Sequence, residues 1–237
     1  MKLSAPVYHL KRKAKLLSRE QNIPLHEALD RLAAKEGFSS WSLLAVKVSQ
    51  AMSAAGLFAR LSPGDLVLVG ARPGHGKTLL SLELTVEAMK SGNRGVFFSL
   101  DCTGKDVLNC FRMIGVDWAH YNGLFEFDIS DAINSAYIVD RLASAPRDTF
   151  VVIDYLQLLD QKRENPELTV QVRMLKSFAR DRGLIMVFIS QIDRSYDSSA
   201  KPCPGLGDVR LPNPLDLTLF NKTCFLNNGE VQFRAAS

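Results

Sequence analysis

A glycine-rich segment followed by lysine and threonine carries the clearest chemistry in this 237-residue sequence. Gly74 and Gly76 let the backbone curve closely around a phosphate group, and a helix that starts after them presents unpaired N–H groups to the anion. Lys77 then bridges the β- and γ-phosphates of a nucleoside triphosphate, while the Thr78 hydroxyl ligates Mg²⁺. The sequence therefore predicts a site for ATP and Mg²⁺ formed by Ala71, Arg72, Pro73, Gly74, His75, Gly76, Lys77 and Thr78.

The residues on both sides of this segment have the pattern that a phosphate-binding loop (P-loop) requires. The apolar run Leu66–Val69 predicts a buried strand that leads directly into the loop, and a helical pattern follows at residues 76–91. The alternative is a glycine-rich turn without a ligand, but such a turn has no need of Lys77. His75 is interpreted as a variable loop position and not as a catalytic residue.

Two polar residues close other apolar runs, at the carboxyl ends of predicted strands, where open α/β sheets bind their ligands. Asp154 follows the run 150–153 and is predicted to contribute to the Mg²⁺ site; a residue that caps a turn is the alternative. Gln191 follows the run 184–190 and is predicted to hydrogen bond to the γ-phosphate; an ordinary polar strand end is the alternative.

The elements that must position these residues begin at Gly56. From there short apolar runs alternate with helical patterns, which predicts an α/β fold with a mostly parallel central sheet. The predicted strands are residues 65–70, 95–100, 149–154 and 184–190, and the predicted helices are residues 76–91, 103–114, 131–145 and 167–182. Residues 217–226 and 230–233 flank Asn227-Asn228-Gly229, a turn sequence typical of a β-hairpin.

The first 55 residues have a purely helical pattern. A basic amphipathic helix at residues 6–19 is followed by a second that starts at Pro24 and ends before Gly37, and by a third from Trp41 to about Ala55. The sequence thus predicts a helical appendage of residues 1–55 and an ATPase domain of residues 56–237. The basic face of the first helix is interpreted either as a solvated surface or as a DNA contact.

Composition limits the class of protein. The net charge is +4, and the content of 46% hydrophobic and 23% charged residues is ordinary for a globular chain and excludes a largely disordered one. The four cysteines are spaced neither for a zinc site nor for a dense disulfide framework. No segment approaches the roughly 20 apolar residues of a membrane span. We therefore expect a cytoplasmic protein with reduced thiols and no membrane contact.

The string Gly-Ala-Arg-Pro-x-x-Gly-Lys-Thr at residues 70–78 resembles the P-loop of the DnaB-family replicative helicases, with alanine where the usual pattern begins with glycine. Residues 61–66, 97–101, 152–158 and 189–195 resemble other segments of that family in the same order. The resemblance implies a RecA-like P-loop NTPase that binds ATP and Mg²⁺, contacts single-stranded DNA and assembles head-to-tail into a ring-like homo-oligomer.

Two positions depart from the family pattern. Asp101 replaces the glutamate that activates the attacking water, and its shorter side chain implies slow hydrolysis; alternatively, Asp101 only ends a strand or caps a helix. Lys222 aligns with the lysine of a Lys-x-Arg segment that reaches a neighbouring subunit's γ-phosphate, with Cys224 in place of the arginine. A surface lysine is the other interpretation of Lys222.

Two hypotheses of function follow. The first is a DnaB-like ATPase that acts on or near DNA, with Asp101, Gln191 and Lys222 as catalytic residues. The alternative is a nucleotide-dependent regulatory or binding protein with little hydrolysis, which the changes at Asp101 and Cys224 favour. A recombinase-like DNA-binding filament is a third hypothesis, and the DnaB-like sequence of the P-loop makes it less favoured. Residues 193–211 fall where RecA-like rings place DNA-binding loops, but Tyr196 is their one aromatic residue for base stacking.

Overall fold

The computed structural model describes residues 3–5, 7–99, 101–121, 123–160, 162, 164–197, 201, 203–211, 213–227 and 230–235. The chain divides into two compact units, Met1–Ser53 and Ala54–Ser237. In the described parts of both units, no helix has the length and apolar character needed to cross a membrane.

The first unit consists of three helices, α1 (Val7–Gln21), α2 (Leu25–Lys35) and α3 (Trp41–Ala51). Its core forms where the apolar faces of the helices meet, and includes Ala14, Ala28 and Leu32. Gly37, with φ of +84°, ends α2 in a conformation that glycine adopts without strain. The Trp41 N–H at the start of α3 donates to Asp30 Oδ1 on α2 at 2.7 Å, which fixes the beginning of the third helix.

The second unit is a seven-stranded sheet with helices between its strands. In chain order the elements are α4 (Ala54–Phe58), β1 (Leu66–Ala71), α5 (Lys77–Lys90), β2 (Gly95–Ser99), α6 (Gly104–Met113), β3 (Phe125–Asp128), α7 (Ser135–Arg141), β4 (Phe150–Asp154), α8 (Leu168–Arg182), β5 (Ile185–Gln191), β6 (Lys222–Asn227) and β7 (Glu230–Ala235). The spatial order is β3-β2-β4-β5-β1-β6-β7. Only the β6–β7 pair is antiparallel among these neighbours.

The sheet confirms the predicted α/β class, its mostly parallel order and its C-terminal hairpin. Every residue of β1, β2 and β4 is buried, as expected for parallel strands covered on both faces. Gly70 on β1 is required by close packing, because a Cβ atom there would lie 2.7 Å from the Phe225 ring on β6. Of the predicted hairpin turn, Asn228 and Gly229 lie outside the described residues, as does Leu100 at the predicted end of β2.

Several predicted boundaries were wrong. The helix predicted to run through Ala55 is interrupted at Met52 and Ser53, where apolar residues continue on both sides and the pattern gives no sign of a break. The strand predicted from residue 217 starts at Lys222, because Asp216 accepts hydrogen bonds from the Thr218 N–H and hydroxyl and forms a short 3-10 turn first.

Strand β3 was missed altogether. Its four residues, Phe125–Asp128, alternate aromatic and acidic side chains at the edge of the sheet, a pattern too short and too charged to stand out as a strand. Arg94 and Arg141 both form ion pairs with Glu126, so charge neutralisation helps to hold this edge strand in place.

Candidate functional site

The P-loop connects the end of β1 to the start of α5, as its sequence predicts. Gly74 and Gly76 have φ values of +78° and +82°, a left-handed backbone that side chains with a Cβ rarely adopt. No heavy atom lies within 4 Å of the position that a Cβ would take at Gly76. The glycines therefore serve the backbone path of the loop and not side-chain packing. Pro73 and Gly74 at its tip are exposed.

Lys77 and Thr78 occupy the first turn of α5, directly after the loop. The Thr78 hydroxyl donates a hydrogen bond to Asp154 Oδ2 at 3.1 Å, so the structure brings the end of β4 to the start of α5. The hydroxyl and carboxylate oxygens are hard ligands of the type that Mg²⁺ prefers. The donor set at this position therefore fits the predicted cation.

Asp154 is buried, with 3% of its surface exposed. Burial raises the pKa of its carboxyl group, because the charged form loses its hydration. The Thr78 hydrogen bond and the positive charge of Lys77 act in the opposite direction, and the negative charge of Asp101 adds to the increase. Perturbed pKa values cluster at functional sites, so the raised pKa of this buried carboxylate beside the loop supports the predicted role of Asp154.

Asp101 lies near Asp154 because β2 and β4 are neighbours, with Ser99 paired to Asp154. The Ser99 hydroxyl oxygen accepts the N–H groups of Asp101 and Cys102, both at 3.1 Å, and so shapes the turn after β2. The Asp101 side chain is exposed. It is therefore placed at the open side of the site, where water has access.

The interpretation of Asp101 as the helix cap is wrong. Thr103 is the N-cap of α6, and its side chain accepts the Asp106 N–H while the Asp106 side chain accepts the Thr103 N–H. This reciprocal arrangement is a complete capping box. Asp101 is consequently not needed to cap the helix.

Cys102 contributes to the site although the sequence analysis did not single it out. Its Sγ donates to Asp154 Oδ2 at 3.8 Å, and burial together with the Asp154 charge raises the pKa of this thiol to about 11. Cys102 is thus a neutral neighbour of the carboxylate at physiological pH. Its position directly after Asp101, beyond the end of a predicted strand, is the signal that would have identified Cys102; Ser99 lies inside the predicted strand 95–100 and has no such signal.

Gln191 ends β5 and is paired with Ala71, the first residue of the loop. Arg210 orients it: the Arg210 N–H donates to the Gln191 carbonyl oxygen at 2.8 Å, and Arg210 Nη1 lies 3.4 Å from Gln191 Oε1. With its amide oxygen facing the guanidinium, the amide nitrogen of Gln191 is left to donate elsewhere. Arg210 was also missed, because no local pattern links residues 19 positions apart.

Arg72 faces away from the interior of the loop. Its guanidinium donates to the Tyr196 carbonyl oxygen and lies 5.2 Å from the centre of the Tyr196 ring. Tyr196 is only 4% exposed, and its hydroxyl donates to the Lys201 carbonyl oxygen at 2.5 Å. The aromatic residue of segment 193–211 is therefore part of the core and does not present its ring for base stacking. His75 is half-buried, and its N–H donates to the Arg72 carbonyl oxygen at 3.2 Å.

The structure does not bring Lys222 to the P-loop. Lys222 starts β6 and pairs with Val67, roughly 13 Å along β1 from Ala71 at about 3.3 Å per residue. Its ammonium group forms an ion pair with Asp65 and donates to the Arg60 carbonyl oxygen within the same unit. The alternative of an exposed surface lysine does not match this placement, because the side chain is only 13% exposed. The predicted contact with a neighbouring subunit's γ-phosphate stays a prediction.

Cys224, aligned with the family's arginine, is 2% exposed, lies one strand in from the edge of the sheet and pairs with Val69 on β1. Burial raises its pKa to about 12. The register predicted for the Lys-x-Arg segment stays a prediction.

We expect Lys222→Ala to lower the free energy of unfolding by about 3 kcal/mol, because it leaves the Asp65 carboxylate buried without its cation. Asp65 keeps hydrogen bonds from the Ser62 N–H and the Asn221 amide, both at 2.6 Å, which limits the loss. Urea denaturation measures the effect. Lys90→Ala is the control. It removes an ion pair with Glu87 in which the Lys90 side chain is 52% exposed, and it should change the free energy of unfolding by less than about 1 kcal/mol. Equal effects of the two substitutions would contradict this role of Lys222.

The sequence of this chain is similar to those of known ATPases and helicases. Residues 54–203 match the family described as "ATPase: KaiC". The chain is 24% identical over 199 residues to the replicative DNA helicase DnaB of Buchnera aphidicola, covering 68% of this chain and 42% of the relative. It is 27% identical over 208 residues to a probable replicative DNA helicase of Guillardia theta, covering 73% of this chain and 34% of that protein. The chain thus spans less than half the length of these curated relatives.

Solved structures agree on the fold. A DnaB-like replicative helicase, determined together with its interactions with primase, aligns with a TM-score of 0.59 at 19% identity, over 97% of this chain and 72% of that one. A KaiC-like protein from Pyrococcus horikoshii aligns with a TM-score of 0.53 at 18% identity, over 73% of this chain and 80% of that one. These neighbours confirm the predicted RecA-like fold, and the helicase relatives confirm the predicted resemblance to the DnaB family.

Proposed function

This chain belongs to the KaiC family of ATPases, and on that basis we propose that it binds ATP with Mg²⁺ at Lys77, Thr78 and Asp154, hydrolyses it, and acts on or near DNA. The observation that carries the proposal is the 3.1 Å hydrogen bond between Thr78 and Asp154, two residues 76 positions apart. The relatives that are named as replicative DNA helicases support the part of the proposal that concerns DNA.

Each residue has a distinct task in the proposed reaction. The N–H groups of the loop and the Lys77 ammonium bind the β- and γ-phosphates, as the open N-terminus of α5 favours. Thr78 and Asp154 would hold Mg²⁺, which when bound neutralises negative charge on the phosphates. Asp101, at the exposed side, accepts a proton from the attacking water. Gln191, with its amide oxygen turned to Arg210, donates its amide N–H to the γ-phosphate.

The test is steady-state ATP turnover of the full chain with and without single-stranded DNA, with Lys77→Ala as the blank. Turnover above the blank that DNA increases supports the proposal. The proposal fails if the wild-type protein binds ATP but turns it over no faster than Lys77→Ala under both conditions.

A second candidate function is a nucleotide-dependent regulatory or binding protein with little hydrolysis. The observation in its favour is that the Lys222 ammonium group is already paired with Asp65 and that Cys224, which replaces the family's arginine, is a buried neutral residue. Head-to-tail assembly of a homo-oligomer remains part of the first proposal, with the exposed Pro73 and Gly74 at the rim of the site as its support. Tight ATP binding combined with the blank level of turnover would favour the regulatory protein.

We expect Asp101→Glu to raise kcat while leaving ATP affinity within about twofold, because the longer carboxylate reaches further from the turn after β2 towards the attacking water. An increase of roughly tenfold is the expected size, since displacements of about 1 Å can change rates by up to a hundredfold. Asp106→Glu, on the neighbouring capping box, is the matched control and should leave kcat unchanged. A kcat for Asp101→Glu at or below that of the wild type would remove Asp101 from the proposed mechanism.

A further inference from the structure

The positive charge of this protein is concentrated in its first unit. Residues 1–53 contain nine lysine and arginine residues and four aspartate and glutamate residues, a net charge of +5. Residues 54–237 contain 20 and 21 of these residues respectively, a net charge of −1. The excess of +4 in the whole chain therefore comes entirely from the small helical unit. An unequal distribution of this kind indicates a surface for a negatively charged partner.

Helix α1 arranges much of this charge along one face. Lys11, Lys15 and Arg19 follow one another at intervals of four residues, about 6 Å apart along the helix axis, and Arg12 lies beside them. All four side chains are exposed. We call these four residues the basic ridge. Another face of α1 is buried: Leu10 and Ala14, about 100° and 60° around the helix from Lys11, are 2% and 0% exposed.

We propose that the basic ridge binds the phosphate backbone of a nucleic acid, without base specificity and without a requirement for ATP. Four exposed cations on a folded helix are suited to phosphate oxygens, and they carry no information about base identity. The carboxylate in the sequence of α1, Glu20, lies about 180°, 140° and 100° around the helix from Lys11, Lys15 and Arg19, at 100° per residue. Lys13 lies about 160° from Lys11 and Lys15. Glu36 is near Lys13 and accepts hydrogen bonds from Ser4.

A lipid surface fits this helix less well. Helices that lie on membranes insert a wide apolar face between the lipid headgroups. In α1 the apolar face is already buried. Among the side chains of this helix that the structure describes, Leu16 is the large apolar one that is exposed, at 50%. Charge without an accessible apolar face is typical of binding to a polyanion in solution.

The experiment measures fluorescence anisotropy of a labelled 20-nucleotide poly-dT strand and of a 20-base-pair duplex, with the full chain in the absence of ATP. The ridge variant combines Lys11→Gln, Lys15→Gln and Arg19→Gln. The control variant combines Lys13→Gln, Lys35→Gln and Lys47→Gln, three exposed lysines of the same unit that lie off the ridge. Both variants lose three positive charges, so any difference between them depends on position.

Counterion release predicts the size of the effect. Each lost phosphate contact lowers the slope of log affinity against log salt by about 0.7 for a single strand and about 0.9 for a duplex. For three contacts at 0.1 M salt, the ridge variant should bind the single strand roughly a hundredfold more weakly, with a slope lower by about 2. The control variant should stay within about threefold of the wild type.

Three results would overturn the proposal. One is equal weakening by the ridge and control variants, which would show only a general effect of charge. Another is the absence of wild-type binding to either nucleic acid at 50 mM salt. The third is binding of phosphatidylserine vesicles in preference to both nucleic acids. Circular dichroism of the ridge and control variants verifies that both keep the helical content of the wild type.

The proposal about the ridge is independent of the proposed ATPase activity, and one variant separates them. Lys77→Ala should lose ATP binding and keep its affinity for the poly-dT strand in the absence of nucleotide. The ridge variant should show the reverse, with unchanged ATP affinity and weakened DNA binding. Loss of DNA binding in Lys77→Ala would contradict the assignment to the ridge and leave the nucleotide site unaffected.

Discussion

Lys77→Ala is expected to weaken ATP binding by roughly a hundredfold or more, equivalent to about 3 kcal/mol. Lys77 lies in the first turn of α5, where its ammonium group and the unpaired N–H groups of the helix act on the same phosphates. The side chain is half-buried beside the loop and is not part of the apolar core. The substitution should therefore remove a ligand contact without unfolding the protein.

Isothermal titration calorimetry with ATP and Mg²⁺ measures the loss of affinity, and thermal unfolding without nucleotide tests the fold. Lys90→Ala is the matched control, because it removes a lysine from the last turn of the same helix, far from the loop. It should bind ATP as the wild type does. Unchanged ATP affinity in Lys77→Ala would refute the assignment of the nucleotide site.

Asp154→Asn is expected to lower kcat by a factor of about 100 to 1,000, because weaker Mg²⁺ binding would remove electrostatic stabilisation of the transition state, and the loss of one such preorganised contact has about this cost. The same substitution should raise the melting temperature of the protein without nucleotide or Mg²⁺. Burial raises the pKa of Asp154, so its ionised form opposes folding at neutral pH. Asparagine removes the buried charge and keeps the shape of the side chain. The variant should therefore lose activity and gain stability, as is common for substitutions in active sites.

The dependence on pH follows from the direction of this shift. Asp154 binds its proton more tightly in the folded protein than in the unfolded chain. The contribution of Asp154 to the free energy of unfolding therefore rises as the pH falls through its folded pKa towards its unfolded pKa. The stabilisation by Asp154→Asn, measured as a difference in melting temperature from the wild type, should therefore be largest at neutral pH and shrink on acidification.

Asp106→Asn provides a control of opposite sign. The hydrogen bonds from Thr103 lower the pKa of Asp106, so this carboxylate adds stability that is present above its unfolded pKa and lost as the pH falls through its folded pKa. Asp106→Asn should lower the melting temperature at neutral pH and leave kcat unchanged. A lower melting temperature for Asp154→Asn at neutral pH would contradict the origin that we assign to its pKa shift.

The parts of the site that the sequence predicted are contiguous in the chain or end an apolar run. The loop from Ala71 to Thr78 is one segment, and its left-handed glycines could be anticipated because few other residues adopt that conformation. The buried parallel strands follow from uninterrupted apolar runs. The edge strand β3 was not predictable in this way, because it has only four residues, is half-buried and has no uninterrupted apolar run.

By itself, the sequence determined the fold class, the resemblance to a family and the position of the P-loop. Tertiary structure decided which residues meet: that Thr78 contacts Asp154, that Arg210 contacts Gln191, and that Lys222 is paired with Asp65. The reason is strand register. Strands that are apolar on both faces have no alternation to fix their alignment, so packing of the whole sheet sets the pairing of Lys222 with Val67 and of Gln191 with Ala71.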